Sequence, residues 1–248
     1  MSTELNPLYN SLAFAYTAFA NDRDFSREVE ALGIKKSSQI EVCELFAGPA
    51  YHSIELLRSR CDVKVTAIDN SSLMKIEAQK LGFPEKGEYI VGNVCDTLES
   101  LQQAYDYFLI LRYSLGLIPP KDLSRLLRAI SNRLNFSGCV FIQLHRIDLI
   151  VNDFERLSIR ERNVVSNSRN ITCLWPSGPL KWREDCFEVQ MPVTLFVDDE
   201  RYETVSHEWI YTKTDLEREC NLLGMSIERI KSIEQFFKQS CMYRLSFC

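Results

Sequence analysis

Val42-Cys43-Glu44-Leu45-Phe46-Ala47-Gly48-Pro49-Ala50-Tyr51-His52 is followed, 25 residues after Glu44, by Asp69 in Val65-Thr66-Ala67-Ile68-Asp69-Asn70-Ser71. An apolar run over residues 40 to 45 ends in small residues around Gly48, and a helical spacing of Ile54, Leu56 and Leu57 begins at once. That order is strand, tight turn, helix, strand and acid, and it lets backbone approach a ligand closely at the turn. In nucleotide-binding α/β units an acid about 20 residues past such a turn caps the second strand and accepts hydrogen bonds from ribose hydroxyls. Asp69 holds that place. The turn is not Gly-x-Gly-x-x-Gly, because Phe46 and Ala50 stand where glycines would, and no Gly-Lys-Ser/Thr cradle follows. A nucleoside without phosphates is therefore expected in preference to a pyrophosphate or triphosphate.

Outward from this unit the alternation is regular. Apolar runs predict strands at about 40–45, 63–68, 88–91, 106–111 and 138–144, with helical patterns at about 51–60, 71–81 and 121–135. Such alternation implies a parallel sheet with right-handed crossovers, and ligands sit beyond the carboxyl ends of its strands. Those ends are the turn at 46–50, Asp69, Gly92-Asn93-Val94, residues 111–114 and His145-Arg146. Upstream, residues 1–37 read as one or two helices, with Leu12, Phe14, Ala15, Ala18 and Phe19 on one face and a second short helix at 26–32. Downstream, 164–174, 184–197 and 202–211 alternate polar and apolar between turn signals, which predicts antiparallel strands. Asp198-Asp199-Glu200 is expected to be a solvated hairpin tip and not a metal site. Thr212 and Asp215 open a helix ending at Gly224, and runs at 226–233 and 242–247 close the sheet as an antiparallel pair.

Bulk properties narrow the function. A chain of 248 residues, 46% hydrophobic and 25% charged, buries a sizeable core, and one domain with additions is the simplest reading. No stretch approaches the roughly 20 apolar residues of a membrane helix, and residues 1–10 carry no basic leader, so a cytoplasmic location is expected. Nine cysteines are scattered without a Cys-x-x-Cys pair, as expected of free thiols in a reducing compartment. The net charge of −5 comes without a basic stripe, which argues against DNA or bulk RNA as partner. A small molecule or peptide is the expected substrate, for a monomer or homodimer.

On the residues quoted so far, the sequence resembles the class I S-adenosylmethionine-dependent methyltransferases of small-molecule type. Glu44, Ala47 and Gly48 fall on the family's first motif, and Asp69-x-Ser71-x-x-Met74 on its second, where the acid holds the ribose and the Met packs by the adenine. Gly92-Asn93 stands for a Gly-Asp whose side chain takes the adenine amino group; Asn93 accepts through its amide oxygen, and the N–H of Val94 reaches a ring nitrogen. Tyr105-Asp106 looks like the opening of the fourth strand, and Asn135-Phe136-Ser137-Gly138 like the turn ahead of the fifth. Phe46 and Ala50 depart from the usual glycines and leave the path of the methionine moiety open.

The resemblance implies an α/β fold with a Rossmann-like, mostly parallel seven-stranded sheet whose last strand is antiparallel. It implies a helical lid over 1–38, the methyltransferase domain over 39–147 and 212–248, and an antiparallel strand insertion over 148–211 capping the acceptor site. The implied cofactor is S-adenosyl-L-methionine, with S-adenosyl-L-homocysteine as product. The cofactor-binding candidates are Tyr16, Glu44, Phe46, Ala47, Gly48, Asp69, Asn70, Met74, Asn93, Val94, Leu111 and Arg112, with Tyr9 beside Tyr16 as a candidate for the methionine carboxylate. No metal is expected.

Methyl transfer from a sulfonium is an in-line displacement, so placement of the acceptor in a desolvated pocket supplies most of the catalysis. A hydroxyl or protonated amine must still lose a proton. His145, at the end of the fifth strand, is the candidate base, and Tyr113 the candidate orienting group. His52 is read as structural because the macrodipole at its helix start disfavours an imidazolium. His207 and Glu208 point to opposite faces of their strand, so one of them looks into the pocket. Arg112 and Arg146 are candidates for an acidic acceptor, set against an exposed Arg146–Asp148 ion pair of little worth. Trp175, Trp182 and Trp209 line the acceptor pocket or pack in the core. The rivals are another transfer, such as aminopropyl transfer, on the same scaffold and a noncatalytic nucleoside-binding protein. A nucleic-acid methyltransferase usually carries Asn/Asp-Pro-Pro-aromatic after the fourth strand, where this chain has Leu111-Arg112-Tyr113-Ser114.

Overall fold

The computed structural model describes residues 6–35, 39–155, 159–183, 187–237 and 240–248, with the side chains of 153–155 left aside. In chain order the elements are α1 (Ala13–Ala20), α2 (Phe25–Ala31), β1 (Ile40–Leu45), α3 (Tyr51–Ser59), β2 (Val63–Asp69), α4 (Ser72–Lys80), β3 (Glu88–Val91), α5 (Val94–Ser100) and β4 (Tyr105–Ile110). They continue with α6 (Pro120–Ser131), β5 (Leu134–His145), α7 (Ile147–Glu155), β6 (Glu161–Ser166), β7 (Arg169–Leu174), β8 (Lys181–Trp182), β9 (Glu188–Val197), β10 (Glu200–Trp209), α8 (Lys213–Leu222), β11 (Met225–Arg229) and β12 (Ser240–Phe247). Seven strands form one sheet in the order β11-β12-β5-β4-β1-β2-β3, in which β12 runs against both neighbours and the others are parallel. A second, antiparallel sheet runs β10-β9-β7-β6, with β8 beside β9.

Strand alternation sorts the core. Cys43, Leu45, Phe108 and Ile110 face α5, α6 and α8, while Val42, Tyr107 and Leu109 face α2 and α3. The α6 helix offers Leu123, Leu126, Leu127 and Ile130 at helical spacing, all buried, and each such side chain contributes about 1.5–3 kcal/mol of burial. Residues 1–5 lie outside the description; beyond them Leu8, Leu12, Ala15 and Phe19 pack on Ile171, Cys173, Val193, Leu195 and Val197 of the second sheet. The N-terminal helix thus rides on the inserted sheet, and the two form one layer beside the carboxyl ends of the parallel strands.

Five sequence expectations are corrected. Helix α5 was not foreseen; Asn93 caps it, accepting from the N–H groups of Cys95 and Asp96, and Leu98 anchors it. Helix α7 was not foreseen either. The run 164–174 is not one strand but the β6–β7 hairpin, turning at Asn167 and Ser168, which both take positive φ as a tight two-residue hairpin turn requires. Residues 135–138 are not a turn ahead of the fifth strand. They lie inside β5, where pairing with β4 jumps from Tyr105–Leu134 to Tyr107–Cys139, and a Cβ on Gly138 would stand 2.5 Å from the Asp106 carbonyl oxygen. The run 226–233 is a strand only to Arg229, because a short 3-10 helix begins at Lys231. The strand expected from 184 begins in residues outside the description, and β9 is seen from Glu188. Thr212 and Asp215 open α8 where expected and do so as a capping box, and the 198–199 tip is a hairpin in which Asp198 is held by Arg169 and the Asn170 N–H. No helix among the described residues is long and apolar enough to cross a membrane.

Candidate active site

The turn after β1 is built from left-handed backbone. Phe46, Gly48 and Ala50 take φ of 56°, 52° and 56°, so the two positions where glycines were missing keep the conformation that glycine adopts without strain. Each non-glycine residue there costs on the order of 1 kcal/mol. The turn is fastened to β2, since the Gly48 N–H donates to Asp69 Oδ2 at 2.8 Å and the Ser71 N–H to Oδ1 at 2.9 Å. Burial, joined by the charge of Glu44, raises the Asp69 carboxyl above its usual range against the pull of these backbone donors. A Cβ on Gly48 would meet nothing within 4 Å. The turn, Asp69, Asn70, Met74, Asn93 and Val94 line one wall of a crevice of about 1020 Å³.

Behind the turn lies a buried ionic chain. Glu44 accepts from the Ser53 N–H and hydroxyl and from His52 Nδ1, and His52 Nε2 meets Glu28 Oε2 at 2.8 Å. Glu28 in turn meets Arg23 at 3.4 Å, and Arg23 reaches Gln143 and the ring of Tyr113. Burial opposes the charged imidazole, but the hydrogen bonds and charges of Glu28 and Glu44 outweigh it and raise the His52 pKa. The chain joins the β1 turn, the loop between α1 and α2, and the end of β5. His52 does not line the crevice, and where the sequence reading had the helix start disfavour an imidazolium, the neighbouring Glu28 and Glu44 stabilise its charge.

A second chamber of about 390 Å³ abuts the crevice, and Tyr9, Tyr16, Arg112, Tyr113 and Glu208 line both. Arg112 and Tyr113 follow β4 with consecutive positive φ of 56° and 63°, and Gln143 Oε1 holds this strained turn by accepting the Arg112 N–H at 2.7 Å. His145 stacks on Tyr113 with centroids 4.0 Å apart, and its Nε2 lies 2.6 Å from Glu208 Oε2. A carboxylate accepts, so His145 donates its Nε2–H to Glu208.

The structure compares with solved methyltransferases over almost its full length. A S-adenosylmethionine-dependent methyltransferase from Clostridium acetobutylicum superposes with a TM-score of 0.71 at 15% identity, covering 96% of this chain and 98% of that one. The fold is that of the S-adenosylmethionine-dependent methyltransferases. The sugar N-methyltransferase KedS8 from Streptoalloteichus matches with a TM-score of 0.73 at 14% identity over 100% and 96% of the two chains. CalS10 from Micromonospora echinaspora, an amino pentose methyltransferase solved with S-adenosylmethionine bound, matches at 0.66 and 11% over 97% and 92%. No protein-family model and no curated protein matches by sequence.

Within this methyltransferase fold the expected residues fall into three places. Phe46, Gly48, Asp69, Asn70, Met74, Asn93 and Val94 line the crevice. Glu44, Ala47 and Leu111 line a recess of about 30 Å³ beneath the turn, with Tyr16 and Arg112; the Glu44 carboxylate is engaged by His52 and Ser53. Tyr16 stands with Arg112, Tyr113 and Tyr9 between the chambers, and His145 faces the smaller one. The Asn93 amide oxygen caps α5. Of the pair on β10, Glu208 lines both chambers, while His207 lines only the crevice and pairs with Glu188, its side chain 54% exposed. Arg146 makes the exposed pair with Asp148 at 2.5 Å. Trp175 lines the smaller chamber, Trp209 packs on the central core and Trp182 lies against Phe187 at the surface. Sequence reasoning missed Glu28 and Arg23, which no motif marks. It could have found Glu208 only by fixing the register of β9 on β10.

Proposed function

We propose that this protein is a methyltransferase that uses S-adenosylmethionine and methylates a hydroxyl or amine of a small molecule or peptide side chain. The observation that carries the reading is a crevice at the Gly48–Asp69 junction that shares one wall with a second chamber holding the Glu208–His145–Tyr113 group. The residues fit an adenosyl sulfonium. Each Asp69 oxygen takes one backbone N–H and keeps acceptor capacity for ribose hydroxyls. Met74 gives an apolar surface for the base, and among the described residues the crevice gathers only Arg112 and Lys121 as Lys/Arg cations against Asp69, Asp122 and Glu208, which suits a ligand without phosphates. When bound, the sulfonium supplies an electrophilic methyl group.

The chain's own residues do the rest. Tyr16 and Arg112 stand where the methionine end would be held, and Tyr113 orients the acceptor from the shared wall. With Nε2–H given to Glu208, Nδ1 of the neutral imidazole takes the proton that the acceptor releases. That solved neighbours are described as sugar N- and amino pentose methyltransferases supports an amine as the acceptor group. Calorimetry with S-adenosylmethionine and S-adenosylhomocysteine tests the reading at its base: both are expected to bind with one site per chain, and binding of neither overturns it. Mass spectrometry of an extract incubated with isotopically labelled donor then identifies the acceptor.

A further inference from the structure

Gln143 is a polar residue where the fold calls for an apolar one. It lies fully buried on β5 with Met242 opposite it on β12, and Met242 joins Phe141, on the same face of β5, in the apolar core. Its Nε2 makes no hydrogen bond among the described residues. A buried amide with its donor unmet is a cost that a leucine or methionine would avoid. What the amide supplies is its oxygen. Parallel pairing of β4 with β5 ends at Ile110–Ile142, and the chain then turns aside through Arg112 and Tyr113, both with positive φ. The Arg112 N–H, which leaves the ladder there, donates to Gln143 Oε1 at 2.7 Å. On the other side of the same peptide, the Leu111 carbonyl accepts the Ser114 N–H at 3.2 Å and the Ser114 hydroxyl. The peptide is thus clamped at both ends. Gln143 Oε1 also meets Arg23 Nη1 at 3.4 Å, and the Arg23 guanidinium lies 5.9 Å from the centre of the Tyr113 ring.

We propose that Gln143 is a positioning residue for the acceptor side of the reaction: by fixing the Leu111–Arg112 peptide it holds Tyr113 in the left-handed pose that stacks on His145. The inference rests on the methyltransferase reading and adds to it a residue that lines neither chamber. Consecutive non-glycine residues at positive φ persist only where their surroundings over-determine them. Without the Gln143 oxygen the Arg112 N–H is left unpaired in the interior, and rotation of that peptide lets Arg112 return to negative φ. Tyr113 then leaves the His145 ring, which now lies 4.0 Å from it and 9° from parallel. His145 keeps its bond to Glu208 but loses the flat face that sets its tilt. Misplacing a reacting group by about 1 Å lowers a rate by up to about 100-fold.

The test uses the full chain and the proton resonances of His145, one of three histidines, identified by their loss in His145→Gln. Tyr113→Leu gives the resonance position without the stacked ring. Gln143→Leu, which removes the acceptor oxygen, is expected to move the His145 signals most of the way to that position. Gln143→Glu, which keeps an oxygen at the same reach, is expected to leave them near the wild-type position. Transfer of labelled methyl from S-adenosylmethionine to acceptors in a cell extract is expected to fall about tenfold or more in Gln143→Leu and to stay within about threefold in Gln143→Glu. A merely structural glutamine would move neither readout in a variant that still melts cooperatively. If Gln143→Leu does not melt cooperatively, hydrogen exchange of the wild type decides: a protected Arg112 N–H supports the clamp and a freely exchanging one overturns it. His145 signals unmoved in folded Gln143→Leu, or moved as far in Gln143→Glu, also overturn the proposal. Failure of the wild-type chain to bind S-adenosylhomocysteine overturns the methyltransferase reading instead, and leaves the resonance arm of the test standing.

Discussion

Asp69 takes two backbone N–H groups in the free protein, so its role in binding depends on what acceptor capacity is left. Asp69→Ala is expected to weaken S-adenosylmethionine by roughly 10- to 100-fold, the loss of charge-assisted bonds to two hydroxyls; unchanged affinity in calorimetry would count against the ribose assignment. The carboxylate is the binding form and its pKa in the folded chain is raised. Affinity is therefore expected to fall as the pH is lowered, with a midpoint above the ordinary carboxylate value, and titrations from neutral to acidic pH check this. His145 belongs at this scale too. His145→Ala is expected to lower turnover on the order of 100-fold while donor affinity stays within a few-fold, and an equal loss of both would make it a structural residue. The motif residues Gly48, Asp69 and Met74 were readable because each belongs to a local strand-turn-helix pattern. Glu208 was not, since its meeting with His145 depends on where β10 lands.

At the scale of elements, the β1 turn and the ionic chain behind it make separate predictions. Ala50→Gly removes a strained left-handed residue at the start of α3 and is expected to change stability by less than about 1 kcal/mol or to raise it; a loss above 1 kcal/mol in urea unfolding would show that the Ala50 methyl in the core outweighs the strain. The folded-state pKa of His52 lies above its unfolded value. Its stabilising contribution is thus complete below about pH 6.5 and lost as the pH rises through the folded value. Urea unfolding from pH 6 upward is expected to show declining stability, at most about 1.4 kcal/mol per pH unit from this group. The decline should be absent in His52→Gln. Periodicity found β1 to β5 because buried strands and amphipathic helices differ in repeat. It missed α5, seven residues long with few apolar anchors, and the hairpin at Asn167-Ser168, where no glycine marks the turn.

At the scale of the molecule, the crevice proposed for the donor lies between the parallel sheet and the layer made by the N-terminal helix and the inserted sheet. A ligand that binds only this folded arrangement stabilises all of it. S-adenosylhomocysteine at 100 times its dissociation constant is expected to add about 2.7 kcal/mol and to raise the melting temperature by about 5–10 °C for a chain of this size; no shift in a thermal scan would contradict the proposed crevice. The sequence by itself determined the strand–helix alternation that makes a parallel sheet and the turn–acid pair at Gly48 and Asp69, because these follow from local periodicity and from spacing along the chain. Tertiary structure alone decided that Glu28 would reach His52, that Glu208 would reach His145, and that Gln143 would reach the Arg112 N–H. Those meetings join residues 24 to 63 positions apart, and their geometry is set by strand register and layer packing, which no local pattern of residues encodes.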